Sequence, residues 1–335
     1  MAPGEPSPLV RVKQLHVIFG GARGRVYAVQ GVDLELAHGR TLAILGESGS
    51  GKSVTLRALL GLLPRKQTQV EGAVHVAGRD VLALSSRQLR RYRGKVASMI
   101  FQDPGMALDP VYKVGYQIAE AIVHHEGASW SSAHRRAREM LDRVKVPSAA
   151  MRANAYPHEL SGGLRQRAMI ALALACRPVL LLADEPTTAL DPTVQIQIVH
   201  LLRELQKEMD MSVIFVTHDV GVAVEVADEI AIMYAGRIVE RAPTATIAAS
   251  PAHPYTIALL DARTSKAPKG VRLNAIGGAP PALDHASTSC SFAPRCSRVR
   301  TLCTAELPPT TLFATGHVGR CFFPLERAAQ SQDRP

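Results

Sequence analysis

An α/β fold with a mostly parallel sheet is predicted for this chain by the placement of its apolar runs. The runs TLAIL (41–45), VLLLA (179–183) and VIFV (213–216) are continuous and short, as expected of strands covered on both faces. Amphipathic segments alternate with them, as crossover helices do. Each run also ends in polar residues: GESGSGKS (46–53) after the first, Asp184 and Glu185 after the second, Thr217 and His218 after the third. In open parallel sheets, ligands sit at the carboxyl ends of strands, so these residues should converge on one site.

The first run feeds a loop rich in glycine and serine. Beyond it, Leu56, Leu59, Leu60 and Leu63 recur at the spacing of one helical face. A strand–loop–helix of this kind makes an anion nest. Gly46, Gly49 and Gly51 allow a tight turn that aims several N–H groups at one point, and Glu47, Ser48, Ser50 and Val54 are counted with the same loop as expected binding positions. Lys52 would reach the β- and γ-phosphates and the Ser53 hydroxyl would ligate Mg²⁺, so the string fits GxxxxGK(S/T) in full. Asp184 and Glu185 then read as a hydrolytic pair, one carboxylate near the cation and one able to take a proton from water. A strand-end acid pair capping a turn is the alternative when the pair is taken alone.

The 335 residues, 47% of them hydrophobic, suffice for one large or two modest cores. No apolar run approaches the ~20 residues that cross a bilayer. The opening stretch MAPGEPSPLVRVKQ lacks the order of a signal peptide, which points to the cytosol. The net charge of +10 would suit nucleic acid or an anionic membrane face, but one Trp and seven Phe leave little for base stacking. The basic stretches 87–95 and 134–145 read more simply as solvated helix faces.

Residues 104–178 turn helical. Ala133, Ala137, Met140, Leu141 and Val144 make a narrow apolar face, and LRQRAMIALALAC reads as a largely buried helix. LSGG places Ser161, Gly162 and Gly163 just before that helix, either as a simple N-cap or as a second anion-binding helix start. Asp191 before Pro192 fits an N-cap with proline at N1. One nucleotide has one set of phosphates, so two phosphate-binding ends suggest a head-to-tail dimer.

In this order and at these intervals, GESGSGKS, FQDP, LSGGLRQR, LLADEPTTALD and VTHD resemble the nucleotide-binding subunit of an ATP-binding cassette transporter, over roughly residues 10 to 250. The resemblance implies a P-loop NTPase (RecA-like) core with an antiparallel β subdomain and a helical signature subdomain. It also implies an ATPase that sandwiches ATP between the phosphate loop of one subunit and the LSGG of another. On that likeness Gln102 is the glutamine that contacts Mg²⁺ or water and senses the membrane subunits. Ser161, Gly162 and Gly163 hold the γ-phosphate in trans. Asp184 is the Mg²⁺ aspartate, Glu185 the general base, Asp191 the residue of the following loop, and His218 the switch histidine. Phe19, before two glycines, is favoured over Tyr27 as the aromatic that stacks on adenine. Arg40 stands where such proteins usually have glutamate, with no consequence for catalysis.

Past about Ser250 the chain is rich in proline and then in cysteine. The stretch SPAHPYTIALLDA and the tail bearing Cys290, Cys296, Cys303 and Cys321 resemble ATP-binding subunits of oligopeptide, dipeptide and nickel importers. The spacing of the cysteines alone leaves iron–sulfur, zinc and unligated thiols open, and a cytosolic chain argues against disulfides. The resemblance implies a four-iron four-sulfur cluster. Cys176 reads as a small core hydrophobe. The organisation expected is a nucleotide-binding domain over 8–250, with its helical part at about 104–178, and a small cysteine-rich extension over 251–335.

The function expected is hydrolysis of ATP to energise uptake of peptides, or of a related solute, from the cytoplasmic face of the cell membrane. The partners implied are two multi-spanning permease subunits, an identical or paralogous ATPase and, indirectly, an extracytoplasmic solute-binding protein, with no nucleic acid. The rivals are a soluble cassette ATPase of DNA repair, chromosome organisation or translation, and a module that senses ATP or redox state without moving anything. The former usually carry a long coiled-coil insertion, zinc modules or tandem cassettes, none of which is evident here. The complete catalytic set argues against the latter.

Overall fold

Twelve strands carry the architecture, in a computed structural model that describes residues 7–21, 24–188, 190–262 and 276–325. They are β1 (Val10–Gly21), β2 (Gly24–Leu36), β3 (Thr41–Leu45), β4 (Thr68–Val76), β5 (Arg79–Asp80), β6 (Ala97–Ile100), β7 (Leu180–Asp184), β8 (Ser212–Thr217), β9 (Glu229–Tyr234), β10 (Arg237–Pro243), β11 (Thr311–Ala314) and β12 (His317–Gly319). The opening residues 1–6, and the stretches 263–275 and 326–335 assigned from sequence to the extension, lie outside the described residues.

The larger sheet runs β11-β12-β10-β9-β3-β8-β7-β6. Its β9-β3-β8-β7-β6 half is parallel, and β10, β12 and β11 add antiparallel pairs at one edge. All residues of β3, β7 and β8 are buried, which is why these strands read as unbroken apolar runs. A separate antiparallel sheet, β2-β1-β4-β5, packs over one face of the parallel strands around Leu15, Val29, Leu56 and Ile214. The other face is covered by the helices of 104–178 and by Pro192–Glu208, through Ile118, Met140, Ile170 and Leu201. A third cluster, Tyr234, Tyr255 and Phe292, seats the residues after 251 against β9.

Most expected elements form, with two shifts. The first helix spans only Lys52–Leu59; Leu60 caps it and Gly61 follows at φ +65°, so Leu63 lies in the turn beyond. Strand β7 begins at Leu180, one residue later than the apolar run predicts, and Val179 just ahead of it is 42% exposed. The basic stretches are solvated helix faces: Leu89 and Tyr92 of Ser86–Tyr92 face inward while Arg87, Arg90 and Arg91 are exposed. In Trp130–Arg143 the buried positions are Ala133, Ala137, Met140 and Leu141. Among the described residues, no helix is long and apolar enough to cross a membrane.

Candidate functional site

The loop at the end of β3 needs glycine for steric reasons. A Cβ at Gly46 would lie 2.1 Å from the carbonyl oxygen of Met233, and one at Gly51 would lie 2.4 Å from that of Ala28, where φ is +102°. Gly49 has open space around it and needs its freedom for φ, at +78°. Gly51 caps the helix without any side chain, so the leading N–H groups stay open. Ser48 and Gly49 are exposed at the mouth. The buried Ser50 hydroxyl has no hydrogen-bond partner, an orphan donor within the nest.

Lys52 is buried, and its ammonium donates to the carbonyls of Gly46 and Glu47 at 2.8 and 2.9 Å. Burial pushes its pKa down, against the pull of Glu185, Asp184 and Glu47. The Ser53 hydroxyl donates to Asp184 Oδ1 at 2.8 Å, while Val54 packs against the core below. Burial also raises the Asp184 carboxyl above its ordinary range, with the Ser53 hydrogen bond as a partial offset. A buried carboxylate facing a hydroxyl is a hard-oxygen donor set of the kind that holds Mg²⁺.

Glu185 follows at φ +46°, a left-handed backbone that turns its side chain out of the strand line. Its N–H is anchored on the carbonyl of Val216, tying the ends of β7 and β8. The carboxylate oxygen Oε2 accepts from the Thr188 hydroxyl at 2.9 Å and lies 3.2 Å from His218 Nδ1. The polar ends of three parallel strands thus converge as the sequence predicts. Thr188 lies in the same EPTTALD string as the acid pair, but no spacing or periodicity in the sequence marks it.

Other expected residues stand apart. Ser161 occupies the N-cap of Gly162–Leu174, yet its hydroxyl makes no capping bond, and Ser161 and Gly162 are exposed. A Cβ at Gly163 would sit 3.1 Å from Val194, so this glycine permits close packing on Pro192–Glu208. Among the described residues, no hydrogen bond joins Ser161, Gly162 or Gly163 to the phosphate loop. Asp191 does cap, accepting from the Val194 N–H at 3.0 Å ahead of Pro192. Gln102 lies exposed after β6. A link between the helical region and the residues just after β7 comes from Gln166, whose buried amide donates to the carbonyl of Pro186 at 2.6 Å.

Phe19 of β1 is half-buried against the core under the antiparallel sheet; Tyr27 of β2 is half-buried with its N–H bound to the carbonyl of Leu283. Arg40 pairs with Asp228, an interaction independent of the phosphate loop. Cys176 is buried, its thiol pushed up to about 11 by burial, in keeping with a core role.

Cys290, Cys296, Cys303 and Cys321 gather in one neighbourhood. The Cys290 N–H donates to the carbonyl of Cys303, the thiols act electrostatically on one another, and burial raises Cys321 to about 11. Among the described residues, however, no group of three or more Cys, His, Asp or Glu is arranged to hold a metal ion.

The same region reaches the phosphate loop, which sequence reasoning missed. Arg295 forms a two-pronged ion pair with Glu47, and the Tyr255 hydroxyl accepts from the Glu47 N–H at 3.0 Å.

Comparison with known proteins accords with this geometry. Residues 29–188 match the family described as ABC transporter, and residues 239–303 match the oligopeptide/dipeptide transporter C-terminal region. The oligopeptide transport ATP-binding protein OppD of Salmonella typhimurium is 44% identical over 325 residues, 97% of this chain and 96% of that protein. The dipeptide transport ATP-binding protein DppD of Bacillus subtilis is 43% identical, with 96% of each chain covered. Among solved structures, a dimeric post-hydrolysis state of the ATP-binding cassette MJ0796, bound to ADP and Pi, is similar with a TM-score of 0.63 and 30% identity, over 70% of this chain and 98% of that one. With the strand-end site and near-full-length relatives in agreement, the chain belongs to the ABC transporter family as an ATP-hydrolysing, ATP-binding subunit.

Proposed function

We propose that this protein energises the import of peptides, as the ATPase subunit of a transporter whose permeases span the membrane. The observation that carries the reading is the convergence of Lys52, Ser53, Asp184, Glu185 and His218 in a chain whose relatives, along almost their whole length, are peptide-transport ATP-binding proteins. Residues 8–250 are the nucleotide-binding domain, with the helical part at about 104–178, and 251–335 the accessory region.

In the proposed mechanism, the N–H groups of Gly46, Glu47, Ser48, Gly49, Ser50 and Gly51 cradle the phosphates, with Val54 at the helix start. Lys52 exchanges its bonds to the loop carbonyls for phosphate oxygens. Ser53 and Asp184, with Gln102 completing the set on closure, would hold Mg²⁺, which supplies charge neutralisation at the leaving phosphate. Glu185 takes the proton from attacking water, and His218 holds that carboxylate and the γ-phosphate in register. Phe19 stacks on adenine.

The uncapped, exposed start at Ser161, Gly162 and Gly163 belongs against the γ-phosphate of a second subunit, identical or paralogous, with Asp191 beside it. Closure of the two cassettes around ATP drives the permeases and hydrolysis reopens them, on the cytoplasmic face, with an extracytoplasmic binding protein delivering substrate. The proposal for Cys290, Cys296, Cys303 and Cys321 remains an iron–sulfur cluster, supported by the gathering of four thiols. Iron and acid-labile sulfide in anaerobically purified protein are the check on that point.

Cells lacking this chain should lose uptake of a labelled oligopeptide. Wild type should restore it and Glu185→Gln should not. Undiminished uptake after deletion, in cells without a second copy, would remove the peptide reading.

A further inference from the structure

Glu47 is an awkward residue for a phosphate nest, since its carboxylate has the same sign as the ligand. Three of its groups are nevertheless fixed. Its carbonyl accepts from Lys52 at 2.9 Å, its N–H donates to the Tyr255 hydroxyl at 3.0 Å, and its carboxylate is gripped by Arg295. Arg295 Nη1 donates to Oε2 at 2.7 Å and Nη2 to Oε1 at 2.9 Å, the parallel fork that suits guanidinium and carboxylate planes.

The Arg295 side chain is only 5% exposed and leaves no donor group idle. Nε donates to the carbonyl of Gly277 at 2.8 Å, Nη2 also to that of Ile276 at 3.2 Å, and Nη1 also to the Tyr234 hydroxyl at 3.1 Å. The Tyr234 ring lies beneath the guanidinium, 5.8 Å from centroid to Cζ. Tyr255 is itself packed on Tyr234 and Phe292, with centroids 4.6 and 5.3 Å away. Both clamps on Glu47 are thus anchored in the aromatic cluster that seats the C-terminal region. Neither belongs to the residues 29–188 that match the cassette family.

We propose that Arg295 is a positioning residue for the phosphate loop: with Tyr255 it holds Glu47 back from the phosphates, so that the C-terminal region sets the loop's affinity for ATP. The inference rests on reading residues 46–53 as the ATP site. Without the fork, the Glu47 carboxylate is released beside the nest as an uncompensated like charge, and the loop carbonyl that orients Lys52 loses its anchor. Mere structural glue would change the melting temperature while leaving nucleotide affinity and KM where they were.

The test uses the full-length protein, with labelled ATP binding measured well below each variant's melting temperature and KM and kcat measured by phosphate release. Arg295→Met is expected to weaken ATP binding at least tenfold and to raise KM by a similar factor, the effect falling on KM rather than kcat. Arg295→Lys, which keeps the charge without the fork, should recover part of the loss and remain about threefold weaker than wild type. Lys52→Ala, in the same assay, should lose binding. If Arg295→Met binds within twofold of wild type while Lys52→Ala does not bind, the inference is overturned and the ATP-site reading survives. If Lys52→Ala binds as wild type does, both fall. Should Arg295→Met fail to fold, Arg295→Lys decides, since affinity and KM within twofold of wild type would equally overturn the role.

Discussion

At Glu185 a strained backbone and two side-chain partners hold one carboxylate at the mouth of the site. A non-glycine residue at positive φ costs about 1–3 kcal/mol, and here the cost is borne where the chemistry needs the side chain aimed outward. Glu185→Gln keeps the shape and the acceptor for Thr188 but cannot take a proton. It should bind ATP, accumulate as a closed dimer and lose at least ~100-fold in turnover; near-normal phosphate release would remove Glu185 as base. Asp184 makes the opposite bargain. Its carboxyl is raised by burial, so its ionised form opposes folding at neutral pH, and Asp184→Asn should raise the melting temperature of nucleotide-free protein while abolishing Mg²⁺-dependent hydrolysis. A lower melting temperature would show that the charge is compensated. These residues were legible in the sequence because their chemistry is local: each follows a strand directly. The Glu47–Arg295 fork was not, because its halves are 248 positions apart and neither lies in a periodic pattern.

Strand β10, paired with β9 on one side and β12 on the other, shows how an element of the antiparallel part of the sheet fastens the C-terminal region. Glu240 is wholly buried, its carboxylate accepting from the N–H groups of Ala252 and His253 and meeting His317 of β12 at 2.7 Å. Glu240→Ala would orphan all three partners and should cost at least ~3 kcal/mol, read by chemical denaturation. A loss under 1 kcal/mol would mean water replaces the carboxylate. His253 caps the helix Pro254–Asp261 by accepting from the Tyr255 N–H, and burial holds its imidazole down at about 4. The unfolded chain protonates it near its ordinary value of ~6.5, so stability is whole above that pH and falls as pH drops toward 4. Between pH 7 and 5 the loss from this group should be about 2 kcal/mol, and His253→Asn, which can still cap, should remove it. Sequence periodicity found the helices of 104–178 and the buried strands because those patterns are regular. It overran at Leu63, where Gly61 breaks the helix, and at Val179, whose apolar character is not matched by burial.

Over the whole molecule, the parallel half of the sheet aligns the catalytic strand ends, and the antiparallel edge carries a C-terminal region that leans back onto the phosphate loop. Tyr27 binds Leu283, Gln30 binds Ser287, and Glu47 binds Arg295 and Tyr255, so that region touches the cassette along one side of the nucleotide site. The face bearing Ser161 and Gly162 remains open, which suits a partner cassette. Motif order made the cassette legible, whereas the docking of the C-terminal region depends on tertiary contacts that no local pattern encodes.

The central claim, an ATPase acting on membrane permeases, is tested most directly by purifying the tagged chain from detergent-solubilised membranes without oxygen and identifying its companions by mass spectrometry. The account predicts two multi-spanning proteins together with a second cassette ATPase, identical or paralogous. Recovery in the soluble fraction alone, with ribosomal or DNA-repair proteins, would contradict it and leave only the ATPase chemistry standing.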